Sequence, residues 1–234
     1  MIKPRDIRFP LDTALSADWN GSDWFRTAFF NAMSILFPYG EKSFIDSVRA
    51  NEGAVTSPAL KAAVRGFMAQ EYVHRREHQR FNEELCASRG YSLDWLEHTI
   101  RTDSEELETI DPLFWLATTV AYEHLTATIA GCLLGRANWL DRADPGISRM
   151  WRWHAIEEIE HKSVAFDVYL AAGGTRGMLR KAMILMSFEF LVRFQARSLW
   201  YMFRRDRPPL SRTMAQAVRF LFGKPRSGRP DKPG

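Results

Sequence analysis

Four stretches of the chain share one pattern: apolar residues recur at alternating steps of three and four, and Glu or His occupies the middle of each run. The first reads Phe30, Ser34, Phe37, Glu41, Phe44, Val48, and the second Leu60, Val64, Phe67, Glu71, His74, His78, Phe81, Leu85. The third is Leu113, Leu116, Val120, Glu123, Ala127, Ala130, Leu134, and the fourth Ile147, Trp151, His154, Glu158, His161, Ala165, Val168. At 3.6 residues per turn, each run lies on one face of a helix. The spacing therefore predicts four helices whose buried faces are apolar at the ends and polar at the centre.

Capping residues set the expected boundaries. Asp23 is a plausible N-cap for the first helix, within which Pro38 either bends the helix or ends it, leaving Glu41 to open another. Ser57-Pro58 and Gly90 bracket a second helix over about 58–88. Residues 89–111 lose the period and gain acids, which suits a solvated crossover with one short helix near Leu93–Thr99. Asp111-Pro112 restarts a third helix, and a fourth runs from about Ile147 to Ala172, where Gly173-Gly174 stops it. A fifth, from Arg176 to Arg204, is apolar around most of its circumference, with Glu189, Arg193 and Arg197 as a narrow polar stripe. The fold class expected is all-α: a four-helix bundle with a long crossover between helices 2 and 3, plus a fifth C-terminal helix. Residues 1–204 would form this domain, with the first 20 or so as an extended arm lacking visible chemistry. Residues 205–234 would form a basic, partly disordered tail with a short helix at Met214–Phe222 and a disordered final dozen.

Composition narrows the function. With 234 residues, 46% of them hydrophobic, the chain can build a sizeable core. Cys86 and Cys132 stand far apart, so neither a thiolate zinc site nor a disulfide framework is indicated, and both are expected as buried free thiols. The N-terminus carries charge and proline where a signal peptide needs an apolar run, and the protein is read as cytoplasmic. Residues 204–234 hold nine Lys or Arg against two Asp, +7 in all, which leaves −3 for the rest of a chain whose net charge is +4. The basic character belongs to the tail, and no nucleic-acid partner is expected for the bundle.

The polar centres of the stripes carry the chemistry. Burying a carboxylate among apolar residues is costly unless a cation or hydrogen bond compensates it. Two helices present Glu71-x-x-His74 and Glu158-x-x-His161, and two others present Glu41 and Glu123. This is the donor inventory of ferritin-like di-metal carboxylate bundles, which also need the long crossover. His154, four residues before Glu158, adds a seventh candidate on the same face. The expected ligands are thus Glu41, Glu71, His74, Glu123, His154, Glu158 and His161, for two metal ions, iron first and manganese second. His78 and Glu157 are expected to support the ligands from behind, Glu77 to do so or lie at the surface, Glu160 to point away, and His124 to be packed or hydrogen-bonded. Phe37, Phe67, Trp151 and Trp153 are candidates to line an apolar substrate cavity.

Phe37-Pro38-x-Gly40-Glu41-x-x-Phe44, Gln70-Glu71-x-x-His74-x-x-Glu77-His78-x-x-Phe81-Asn82, Glu123-His124-x-Thr126-Ala127 and Trp153-His154-x-x-Glu157-Glu158-x-Glu160-His161-Lys162-x-Val164-Ala165-Phe166-Asp167 resemble the bacterial family named predicted metal-dependent hydrolases, over roughly residues 5–205. The ligand pattern also resembles ferritin-like di-iron proteins, and His-x-x-x-Glu-x-x-His is similar to the fourth-helix motif of di-iron arylamine N-oxygenases. The latter resemblance favours an enzyme in which iron activates O2 to oxidise a small, apolar substrate, with an unidentified electron donor. The family resemblance implies the alternative, a metal-dependent hydrolase using a hydroxide bound by two metals, and iron storage or buffering is a second alternative. The fifth helix is expected to pack on the bundle and form a homodimer interface, since Trp200, Tyr201 and Phe203 would otherwise be exposed. The competing expectation is peripheral contact with the inner face of the membrane through this helix and the basic tail.

Overall fold

A computed structural model describes residues 2–11, 15–135 and 139–222, and the regular elements among them are all helical. In chain order they are α1 (Trp24–Asn51), α2 (Pro58–Arg89), α3 (Leu93–Leu107), α4 (Pro112–Gly135), α5 (Pro145–His161), α6 (Val164–Ala171), α7 (Arg176–Phe188), α8 (Arg197–Asp206) and α9 (Leu210–Phe222). A π-helical segment, Glu189–Ala196, joins α7 to α8. The expected caps form: the side chains of Asp23 and Ser57 accept hydrogen bonds from the backbone N–H groups of Arg26 and Leu60. Gly90 ends α2 at φ +64°, a conformation that costs glycine little.

The bundle is α1, α2, α4 and the α5–α6 pair, and its direction of winding can be read from the core. One buried apolar cluster joins Phe30 and Phe37 of α1 to Phe81 and Leu85 of α2, Ala130 and Leu133 of α4, and Ile147 and Trp151 of α5. A second joins Phe44 and Val48 to Val64 and Phe67, Leu116 and Val120, and Ala165 and Val168. Chain order between the clusters makes α1 parallel to α5–α6 and antiparallel to α2 and α4. The link from α2 to α4 must therefore return along the bundle. α3 does this, and its 15 residues span about 22 Å.

Five features depart from the sequence reading. α3 is a full helix to Leu107, not a short one near Leu93–Thr99, because Leu96 and Ile100 bury an apolar face beneath it. The fourth bundle helix is broken at Lys162–Ser163, directly after His161, while Ala165 and Val168 stay fully buried. The fifth helix is three segments, and its π turn directs Phe190 and Phe194 inward. Tyr201 stacks on Trp95, and Phe203 packs edge-on against Trp24, so of the three aromatics expected to need an interface to cover them only Trp200 is left exposed, at 57%. The division expected at 204/205 falls inside α8, whose Asp206 accepts hydrogen bonds from Trp24, Arg89 and Tyr91. Beyond it α9 packs on α1, and the disorder expected for the final dozen residues lies outside the described residues. No described helix is long and apolar enough to cross a membrane.

The N-terminal arm is extended, as expected, and crosses α2 so closely that a Cβ on Gly66 would meet the backbone of Ile2 at 2.7 Å. Glu77, fully buried, fastens the arm by accepting hydrogen bonds from the Phe9 N–H and from Arg76 and Arg80.

Candidate metal centre

Between the two apolar clusters lies a polar layer made by the centres of the four stripes. Glu41, Glu71, His74, Glu123, His154, Glu158 and His161 are all at least 97% buried. Their donor atoms gather into three overlapping groups, Glu41 with His74 and His154, Glu71 with Glu123 and His161, and Glu71 with His74 and Glu158. Within each group the atoms lie no more than 4.8 Å apart. Glu71 and His74 each belong to two groups, so the layer reads as two adjoining sites with shared donors.

The hydrogen bonds behind the imidazoles determine which nitrogen faces the centre. His161 Nδ1 is 3.0 Å from Gln70 Oε1, and the Gln70 amide is oriented by donating its N–H groups to the Lys3 carbonyl and Glu160. Nδ1 therefore carries a proton, and Nε2 faces Glu71 Oε1 at 2.9 Å, Glu158 Oε1 at 3.4 Å and Glu123 Oε2 at 3.6 Å. His74 Nε2 donates to Glu157 at 3.0 Å, and its Nδ1 turns inward without a partner.

His154 is held by a longer chain. Pro38 has no N–H to give to the Ser34 carbonyl one turn earlier. Asn82 Nδ2 donates to that carbonyl at 2.9 Å, which aims Asn82 Oδ1 at the Ser34 hydroxyl, 2.7 Å away. With its proton given to Asn82, Ser34 Oγ accepts from His78 Nδ1 at 2.8 Å, and His78 Nε2 accepts from His154 Nδ1 at 2.7 Å. His154 Nε2 is left facing Glu158 and Glu41, at 3.1 and 3.9 Å. All three rings thus point a lone pair, or a proton in place of a cation, at a cluster of carboxylates. Partners of this kind fix metal-binding histidines in orientation and tautomer.

Charge balance leads to the same place. Both oxygens of Glu41, Glu71 and Glu123 are buried without a hydrogen bond, as are His74 Nδ1, Glu158 Oε2 and His161 Nε2. Burial pushes the Glu41, Glu71 and Glu123 carboxyls above their ordinary range, and the neighbouring Glu158 charge adds to this. Burial opposes the charge on Glu158 too. His161, with hydrogen bonds from the His154 and His161 rings when protonated, still holds it well below that range. His161 is raised well above an ordinary histidine: burial lowers it, but Glu123, Glu71 and Glu158 together outweigh that. Burial and nearby His154 depress His74 and His78. Three buried carboxylates without a hydrogen bond, and a fourth with one bare oxygen, need positive charge among them, and divalent cations fit both the charge and the bare donor atoms.

Three details differ from expectation. The arm expected to lack chemistry supplies Arg5, whose backbone N–H and guanidinium bind Glu157 while the guanidinium also pairs with Glu160. Glu160 does not point away, because Arg5 and Gln70 draw it back over the site. His124 is exposed, not packed, since the face adjoining Glu123 on that side of α4 is solvated. The stripes alone do not single out Gln70, although Gln70 and Glu157 hold the same place, one residue before the Glu of each Glu-x-x-His, and each holds the histidine of the other copy. The expected aromatics wall the centre: Phe37 lies 4.6 Å from the His154 ring, Trp153 4.8 Å from His74, Phe67 5.0 Å from His161 and Trp151 5.1 Å from His78.

An all-helical bundle with four carboxylates and three imidazoles converging between its core layers defines a class of helical proteins built around a metal centre. The chain belongs to the family described as predicted metal-dependent hydrolase, which it matches over residues 3–230. No curated protein and no solved structure matches it. Membership in that family overturns the oxygen-activating reading. The ligand inventory alone misled, because carboxylate and imidazole donors serve redox and hydrolytic centres alike.

Proposed function

We propose that the protein is a hydrolase working with two divalent metal ions, held by Glu41, Glu71, His74, Glu123, His154, Glu158 and His161. The observation that carries this reading is the set of buried donor atoms with no protein partner, presented by four helices of a chain in a metal-dependent hydrolase family. Carboxylate and imidazole donors suit iron or manganese. The chemistry such ions supply is polarisation of a carbonyl or phosphoryl oxygen and a water made acidic enough to attack at neutral pH.

The chain's own part is to hold and shield. Glu157, Gln70 and His78 keep a proton on the outward nitrogen of His74, His161 and His154, so the inward nitrogens stay free to bind. Arg5 offsets the charge of Glu157 and Glu160 and ties the arm across them. Phe37, Phe67, Trp151 and Trp153 exclude bulk water, which strengthens every charge interaction inside.

Metal analysis followed by anaerobic hydrolysis assays tests the reading. Protein with about two ions per chain should cleave an ester without oxygen, lose activity to a chelator and regain it with metal. Metal-replete protein that cleaves no ester, amide or phosphate ester overturns the reading. Glu158→Ala should empty one or both positions, and full occupancy in that variant would remove Glu158 from the ligand set.

A further inference from the structure

We propose that the outward face of the C-terminal helices is a docking surface for anionic lipid bilayers, on which the protein lies without crossing; this does not depend on the hydrolase reading. α7, the π segment and α8 pack inward through Ala182, Met186, Phe190, Phe194 and Met202. They leave Ile184, Leu185, Phe188, Leu191, Val192 and Trp200 outside. α9 reverses the pattern of an ordinary surface helix, which buries its apolar side. Its buried residues are Thr213, Gln216 and Phe220, and Gln216 accepts a hydrogen bond from the Phe25 N–H. Leu210, Met214, Val218, Leu221 and Phe222 form its outer stripe. The outward apolar residues of both segments are between 44% and 79% exposed.

The two stripes look away from the same side of the bundle. Phe190 and Phe194 cluster with Leu36 of α1, and Phe220 packs on Phe25 and Phe29 of the same helix. Positions 25, 29 and 36 are four and seven residues apart and so share one face of α1. Gln195 of the π segment donates to the Phe29 carbonyl, which joins the two footprints. The outer faces of both segments therefore add up, and monomeric proteins in water rarely expose apolar patches of such extent.

Charge decides what covers the patch. Residues 168–234 hold fourteen Lys or Arg against Glu189, Asp206 and Asp231, +11 in all, which leaves −7 for the residues before them. α7 and α9 contain no acid, Glu189 is paired with Arg193 at 3.0 Å, and Asp206 with Arg89 at 3.2 Å. Exposed bases stand at both ends of the α7–α8 stripe, Arg176, Arg180 and Lys181 at one and Arg204 and Arg205 at the other. Arg212 and Arg219 are exposed on α9.

A second copy related by a two-fold axis would bring this face against itself. With bases at both ends, either direction of approach sets base against base, and neither α7 nor α9 has a carboxylate to answer them. A bilayer containing anionic lipid supplies phosphates to the bases and hydrocarbon to the apolar residues between them, the combination that holds helices at an interface. Trp200, with the Arg204 guanidinium 5.7 Å from its ring, suits the headgroup level, where tryptophan concentrates.

Co-sedimentation tests the proposal. Full-length, metal-loaded protein is spun with vesicles of phosphatidylcholine alone or mixed with phosphatidylglycerol, at low and high salt, while light scattering gives its mass in solution. It should be monomeric, bind the mixed vesicles about tenfold or more tightly than the neutral ones, and lose most of that preference at high salt. Two paired substitutions, Phe188→Gln with Val192→Gln and Val218→Gln with Leu221→Gln, replace only exposed side chains. Each pair should weaken binding about tenfold or more without changing metal content. Arg180→Gln with Lys181→Gln should cost about fivefold per charge.

If one apolar pair fails to fold, the other decides. Protein that stays in the supernatant with the mixed vesicles overturns the proposal. Binding that the folded apolar variants leave intact also overturns it, because charge alone would then account for the attachment. A dimer in solution that dissociates on Phe188→Gln with Val192→Gln assigns the face to a second copy and overturns it as well.

Discussion

Glu157 shows how one side chain can govern the centre without facing it. It is fully buried, accepts from His74 Nε2 and is neutralised by Arg5. Glu157→Leu removes the acceptor, so the His74 ring loses the bond that fixes its inward nitrogen, and metal affinity should fall about 10–100-fold. Glu157→Gln can still accept through its amide oxygen and should lose less. Competition titration against a metal-binding dye ranks the three proteins, and equal affinities would remove Glu157 from any role at the metal. At this scale the convergence of seven buried Glu and His side chains was legible in the sequence, because a charge in the middle of an apolar stripe must find its compensation inside the core. Gln70, Arg5 and Glu160 were not. Arg5 and Glu160 lie off the stripes and act across 155 residues of chain, a pairing that periodicity does not encode. Gln70 left a fainter trace in the matched positions of Gln70 and Glu157.

Among the elements, α1 repays the closest reading, since Pro38 lies inside a continuous helix and does not end it. The Ser34 carbonyl that it frees is bound by Asn82, so a residue that weakens a helix has become the anchor of the chain leading to His154. Sequence reasoning leaves Pro38 open because propensity registers the lost backbone bond and is blind to a partner on α2. The same limit applies to α3 and α9, whose helices depend on faces offered by the bundle. α9 docks through buried Phe220, whose ring packs against Phe25, Phe29 and Trp139. Phe220→Ala should cost about 3–5 kcal/mol of docking. Limited proteolysis within Leu210–Phe222 should accelerate, while metal content stays unchanged because α9 touches none of the seven donors. Unaltered proteolysis would show that α9 is not held by this ring.

For the whole molecule, the polar layer couples folding to metal and pH. From about one pH unit above the unfolded histidine value of about 6.5, the depressed His74 and His78 are neutral in both folded and unfolded chains, and Glu158 is ionised in both, so there these three groups give no slope. Glu41, Glu71 and Glu123 are raised above 4.5, and His161 above 6.5. A group whose folded pKa is raised lends stability that is complete below its unfolded value and lost as pH rises through the folded one. In chelated protein the four groups act in the same direction, and their contribution to the melting temperature should fall as pH rises through their folded values, above 4.5 for the carboxyls and above 6.5 for His161. Divalent metal takes the place of those protons and should remove most of that fall. At a hundredfold excess over Kd the gain is about 2.7 kcal/mol, or roughly 5–10 °C for a domain of this size, and it should be larger at pH 8 than at pH 6.5. Calorimetry in two buffers of different ionisation enthalpy checks the linkage independently, because metal binding releases whatever protons its ligands hold. A melting temperature that does not respond to metal, together with no proton release, would mean that no cation binds among these donors.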